Sequence, residues 1–267
     1  MIPKVETLAQ ACGRIEDGMT LALGGMTLYR RPVAFVLGLL QRSTRPQDLT
    51  LLNFTAGYES DLLVGAGCVK VVRSVYFGLE AFGLAPMFTQ LAGQGVLHVM
   101  DETESSIVSG LRASMAGVGF MPSTAWQGTD LLTLRPDVKT IQDPYTGEIL
   151  TAFPAIDLDV VVIHGIEADQ EGNVRINQNL GIDLELMYVA KTVICTVERM
   201  TDALHKTADS VIIPSVGVDV IVMTPNGAFP TSCHPLYAVD GLEIMRYVEM
   251  CNQGAFEAYL EQALMNL

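Results

Sequence analysis

The sequence predicts an α/β protein built on one mostly parallel, doubly wound sheet. Three observations carry that expectation. Short apolar, strand-like runs alternate with stretches of helical period along the 267 residues. The first strand ends on paired glycines, Gly24 and Gly25, and Pro32 opens a helix behind them. No repeat or low-complexity linker interrupts the pattern, so residues 1–267 read as a single domain.

In chain order, residues 4–17 read as a helix with Leu8, Ala11, Cys12 and Ile15 as its apolar stripe. Thr20–Leu23 is a short apolar strand, followed by a helix marked by Val33, Val36, Leu37 and Leu40. Leu51–Phe54 is strand-like, Asp61–Ala66 helical and Lys70–Val75 a strand. Phe88–Ala92 is a short helix and Val96–Met100 a strand. Ser106–Met115 is a helix rich in small residues that ends near Gly117. Residues 122–154 read as a long connection, with a turn at Asp143–Gly147. Val160–Ile163 is a β-branched strand, Leu184–Ala190 a helix, and Val193–Val197 and Ile221–Met223 further strands. A last helix spans about 242–264, broken near Gly254.

Composition narrows the function. Hydrophobic residues make up 49% and charged residues 17%, a balance that points to a folded chain with part of its surface covered by a partner. The net charge of −14 argues against nucleic acid or an anionic membrane as the main ligand. No apolar run reaches membrane-spanning length, and no signal-peptide pattern opens the chain. Five scattered cysteines without Cys-x-x-Cys spacing read as reduced structural thiols of a cytoplasmic protein.

Chemistry concentrates in few places. The Gly24-Gly25-Met26-Thr27 loop lets a ligand approach the backbone, and the helix behind it favours anions. Arg30 and Arg31 are placed to pair with a substrate carboxylate or a phosphate, or else to form a solvated basic turn. A dinucleotide Gly-x-Gly-x-x-Gly fingerprint is missing. His98, His164, His205 and His234 lack metal-ligand spacing with one another or with cysteines, so no metal is expected. His164 reads as a satisfied core histidine and Cys195 as packing; His234 sits in a loop that can border a site. Asp101 and Glu102 read as acids at a helix N-terminus. Glu104 follows a strand at the end where parallel sheets bind ligands, and Glu80 occupies a similar place with a weaker claim. Asn173 and Arg175 read as organisers of the turn at Gly172.

Several segments together resemble the α-chains of class I coenzyme A transferases, the glutaconate CoA-transferase type above all. They are Gly18–Met26 with Arg30-Arg31-Pro32, Val161–His164 followed by Ala168–Ile176, Thr192–Glu198, and Val218–Ala228. The resemblance spans nearly the whole chain in the family's order, with Met26 where the family has phenylalanine. It implies a CoA-transferase fold shared with sugar-phosphate isomerases, acyl-CoA as substrate, and an α2β2 assembly with a β-subunit. The glutamate of that β-subunit would form the covalent acyl intermediate, and this chain would be inactive alone.

Glu104 stands where the transferases tend to carry glutamine. An amide donates hydrogen bonds to an oxyanion, whereas an ionised carboxylate only accepts them. A related α-chain, from a heterodimeric CoA-thioester hydrolase that opens a steroid ring, carries glutamate there. The resemblance therefore implies CoA transfer first, and retro-Claisen hydrolysis with Glu104 as base as the alternative. A non-catalytic sugar-phosphate effector domain is a minor third reading.

Overall fold

The computed structural model describes residues 3–267. Its centre is an eight-stranded sheet ordered Lys4–Val5, Val220–Met223, Ala190–Val197, Leu158–Gly165, Thr20–Leu23, Leu49–Ala56, Val69–Phe77 and His98–Asp101. Every pairing within it is parallel. From Thr20–Leu23 the chain adds strands outward in one direction as far as His98–Asp101. It then returns to Leu158–Gly165 and builds the other way. The order reverses between Thr20–Leu23 and Leu158–Gly165, and such a switch point opens a crevice at the carboxyl ends of the strands.

Both faces of the sheet are covered, as parallel sheets require. On one face pack the helices Val33–Leu40, Tyr58–Gly65, Pro86–Gly93, Gly241–Asn252 and Phe256–Met265, around Phe35, Leu39, Leu62 and Tyr247. On the other lie the helices Glu104–Met115 and Asp183–Val189, around Ile107, Leu111, Ile163 and Leu186. The β-branched run Val160–Ile163 supplies side chains to both cores by simple alternation.

Three sequence expectations need correction. Residues 4–17 are not one helix: Lys4 and Val5 pair with Val220 and Ile221 as an edge strand. The helix is only Leu8–Cys12, started by a reciprocal cap between Thr7 and Gln10. The connection 122–154 is also structured. Phe120–Ser123 and Lys139–Gln142 flank Ile149–Pro154 in an antiparallel three-stranded sheet, with Trp126 edge-on to Phe153 beneath it. A third sheet went unread: Met200–Thr201, Glu167–Asp169, Val174–Asn177 and Ser210–Ile213 form four short strands beside the switch point. The break in the last helix falls at residues 253–255, where Gly254 takes φ +73°.

Candidate active site

The crevice at the switch point is occupied by the segment that leaves the Thr20–Leu23 strand. Gly24 extends the ladder by one bond, its N–H donating to the Val162 carbonyl at 2.9 Å. A side chain there would overlap the Asp183 carboxylate, and one at Gly25 would meet the Arg30 carbonyl at 2.5 Å. Gly25 also takes φ +81°, so glycine is required twice over. The Gly25 N–H donates to Asp183 Oδ1 at 2.8 Å, and the Thr27 N–H donates to Thr55 Oγ1 at 3.0 Å.

The two arginines that follow do not reach solvent. Each is 0% exposed, and the expectation that they pair with substrate or form a solvated turn is corrected by their partners. Arg30 donates to Asp183 Oδ2 at 3.1 Å, to the carbonyls of His164 (2.7 Å) and Asn179 (3.1 Å), and to Asn177 Oδ1. Arg31 donates to Glu59 Oε1 through Nε (2.9 Å) and Nη2 (2.5 Å), to the Gly25 carbonyl at 2.9 Å and to Asn53 Oδ1. A buried guanidinium survives only with its charge and donors matched. Here the match clamps the loop from both sides, and Arg30 adds the ends of two other elements.

A second wall comes from residues 228–239. The Arg30 N–H donates to the Ser232 carbonyl at 2.6 Å, and the Ser232 N–H to the Leu28 carbonyl at 2.9 Å. Asn177 Nδ2 holds the His234 carbonyl at 2.9 Å. Glu198, at the end of its strand, gathers the Asn226 N–H (2.6 Å), the Tyr237 hydroxyl and His164 Nε2 (2.9 Å). Burial holds His164 below the usual histidine range despite the facing carboxylate. With Thr196 Oγ1 at 2.8 Å from Nδ1, the ring is satisfied as the neutral form that donates from Nε2. The contacts from His164, Tyr237 and Asn226 outweigh burial and keep Glu198 below the ordinary carboxylate range.

Cys233 joins this cluster, with its thiol, His164 and Glu198 all within 4.8 Å. Sequence spacing did not foresee a histidine and a cysteine meeting. Protein partners already take both ring nitrogens and both Glu198 oxygens, and burial pushes the Cys233 thiol up to about 12. The trio is therefore read as a hydrogen-bond staple.

Against the second wall lies a cavity of about 590 Å³ bordered by Tyr29, Asn179, Ser232, His234, Leu236 and Val239. Glu80, exposed and at φ +54°, accepts from the hydroxyl of Tyr29, one of the bordering residues, at 3.3 Å. That carboxylate, with burial, raises the Tyr29 phenol above its ordinary value and keeps it a donor. Glu104 is elsewhere. It begins the helix after His98–Asp101, three strands from Thr20–Leu23, a lateral offset of roughly 14 Å at about 4.8 Å per strand. Glu104 is exposed, and its carboxylate has no hydrogen-bond partner among the described residues.

Its neighbour Glu102 corrects another reading. It does lie at the helix start, but as a buried ion-pair centre: its side chain joins Arg73 (2.6 Å), Arg135 (3.1 Å) and Ser106 Oγ (2.5 Å). Asn173 does organise its turn, through Asp169, while Arg175 pairs with Glu167 at 2.8 Å. Sequence reading missed Asp183 and Glu59, which lie 153 and 28 residues from the arginines they hold. It also missed Glu198 and Ser232 on the second wall. Nothing in local spacing signals any of the four.

This arrangement defines a class: an α/β protein with a glycine loop at the switch point of a parallel sheet. Residues 5–224 match the family described as Coenzyme A transferase, and the chain belongs to that family. It is 31% identical over 238 residues to one of the subunits of 3-oxoadipate CoA-transferase from Pseudomonas knackmussii, covering 88% of this chain and 83% of that one. It is 31% identical over 261 residues to the cholesterol ring-cleaving hydrolase IpdA subunit of Rhodococcus jostii, covering 91% and 85%. Among solved structures, the decarboxylase AibA/AibB superposes with a TM-score of 0.90 at 30% identity over 99% of both chains. Glutaconate coenzyme A-transferase of Acidaminococcus fermentans gives 0.89 at 29% identity, covering 99% of this chain and 89% of that one. The relatives are subunits of heteromeric enzymes, which implies that this chain too has a partner subunit. No helix among the described residues is long and apolar enough to cross a membrane.

Proposed function

We propose that this chain is the α-subunit of a heteromeric CoA-transferase that moves CoA between an acyl-CoA and a carboxylic acid. The partner subunit supplies the glutamate that takes the acyl group, in an α2β2 assembly, in the cytoplasm. The observation that carries the reading is the loop Gly24–Arg31, fixed at the sheet's switch point by two buried arginine–carboxylate pairs beside an open cavity. Such a loop offers a preorganised wall to a thioester. Gly24, Gly25, Met26 and Thr27 form the face toward CoA, and Glu80 borders the acyl end.

The hydrolase alternative rests on Glu104, whose unpaired carboxylate is free to act as a base, and on the likeness to the ring-cleaving hydrolase. One experiment separates the two. The chain is co-expressed with the product of the neighbouring reading frame, and acyl-CoA turnover is followed by mass spectrometry with and without an acceptor acid. CoA transfer is expected from the complex and none from the chain alone, with Glu104→Gln keeping transfer within about threefold. Acceptor-independent hydrolysis that Glu104→Gln abolishes would reverse the assignment.

A further inference from the structure

The small antiparallel sheet within residues 120–154 has two faces with unlike cover. Side chains at alternate positions of Ile149–Pro154 point to opposite faces. Thr151 and Phe153 are buried, with Phe153 against Trp126. Register sets the members of the other face. Phe120 lies beside Pro154, Pro122 and Lys139 flank Ala152, and Ile141 lies beside Leu150. All but Lys139 are apolar, yet none of them is buried. Phe120 and Ile141 are 39% and 38% exposed. The solvent face of an antiparallel sheet is ordinarily polar, and a contiguous apolar face marks a contact with another chain.

The single charge in that face selects what covers it. Lys139 is exposed, and its ammonium donates to the Pro136 carbonyl at 2.5 Å. No acid stands among the side chains of the face, although the chain as a whole carries a net charge of −14. A two-fold pairing of the face with a second copy would set apolar side chains and two lysines together, with no carboxylate for either ammonium. A different chain can bring that carboxylate. The relatives of this protein are subunits of heteromeric enzymes, so such a chain is at hand.

We propose that this face docks the partner subunit, through an apolar surface that places an acidic side chain opposite Lys139. The inference rests on the partner subunit of the function proposed above, and not on which reaction the pair performs. Contact is made by the face and not by strand addition along Phe120–Ser123, because Pro122 has no N–H to give. Beneath the sheet, the Trp126 indole donates to Thr103 Oγ1 at 2.8 Å, next to Glu104. A subunit seated on the sheet is thereby joined through it to the helix that Glu104 opens.

All five cysteines of the chain are buried, so an introduced thiol reports its own accessibility to a maleimide. In the co-purified complex, Ile141→Cys is expected to react at least about tenfold more slowly than Tyr145→Cys, at the 95% exposed turn of the same hairpin. In the chain alone the two should react within about threefold of each other. Lys139→Glu should weaken association with the partner at least about tenfold in titration calorimetry. A rate ratio in the complex no larger than in the chain alone, or an unchanged affinity of Lys139→Glu, overturns the assignment. Protection of Ile141→Cys in the chain alone that grows with its concentration gives the face to a second copy and overturns it too. A complex that shields Ile141→Cys yet turns over no acyl-CoA overturns the CoA reading and leaves the docking surface standing.

Discussion

Arg30 and Arg31 stand next to each other, yet each neutralises a different carboxylate on a different side of the loop. The clamp is stiff because each guanidinium also spends its remaining donors on backbone or amide oxygens. Removing one partner strands the other charge without water. Arg31→Met is therefore expected to cost about 3–5 kcal/mol in urea unfolding. Adding Glu59→Gln to it should recover part of that loss, since the stranded carboxylate goes too. If the double variant is no more stable than the single, the pair is not the unit described. At Gly57, an added methyl would collide with the Thr27 carbonyl, so Gly57→Ala should destabilise the complex and lower its kcat more than a surface Gly→Ala does.

At the level of elements, the segment 228–239 has no helix or strand of its own and is held in place from outside. Glu198 is its peg, reached from one strand and bonded to the turn at Asn226, the ring of Tyr237 and the end of another strand at His164. His164 and Glu198 both titrate below their ordinary values. The unfolded chain therefore binds protons more readily than the native one as pH falls through the ordinary histidine range and then the carboxylate range. Stability from this staple is present above about pH 6.5 and is lost on acidification below it. The melting temperature is expected to fall between about pH 7 and pH 5, and His164→Gln should flatten that slope. An equally steep slope in the variant would place the acid sensitivity elsewhere. The helix Glu104–Met115 has its own peg in Thr103, which caps Ser106 and accepts from the Trp126 indole at 2.8 Å. Thr103→Ala should cost roughly 1–2 kcal/mol by chemical denaturation.

Across the whole molecule, stability is graded from the middle of the sheet to its edge. Leu21 is 0% exposed on a central strand, whereas Val99 on the edge strand is 39% exposed. Leu21→Ala should cost about 2–5 kcal/mol by denaturant midpoint, and Val99→Ala under about 1 kcal/mol. Similar losses at both positions would argue against a core centred on the switch point.

The alternation of strands and helices, the parallel sheet and the place of the glycine loop were legible in the sequence, because each is written in neighbouring residues. Apolar runs, Gly24-Gly25 and the Pro32 helix start act over a few positions. The edge strand Lys4–Val5 was hidden because its pairing with Val220 and Ile221 is long-range. The same distance concealed the meeting of His164, Glu198 and Cys233, and the partners Asp183 and Glu59 that take the arginines out of the solvent. In a doubly wound sheet, crossovers bring strand ends together that lie far apart in the chain. The sequence by itself thus determined the family's fold and where its loop would lie. Only the tertiary structure decided which charged side chains are buried struts and which stay exposed, because burial and pairing are properties of the assembled crevice.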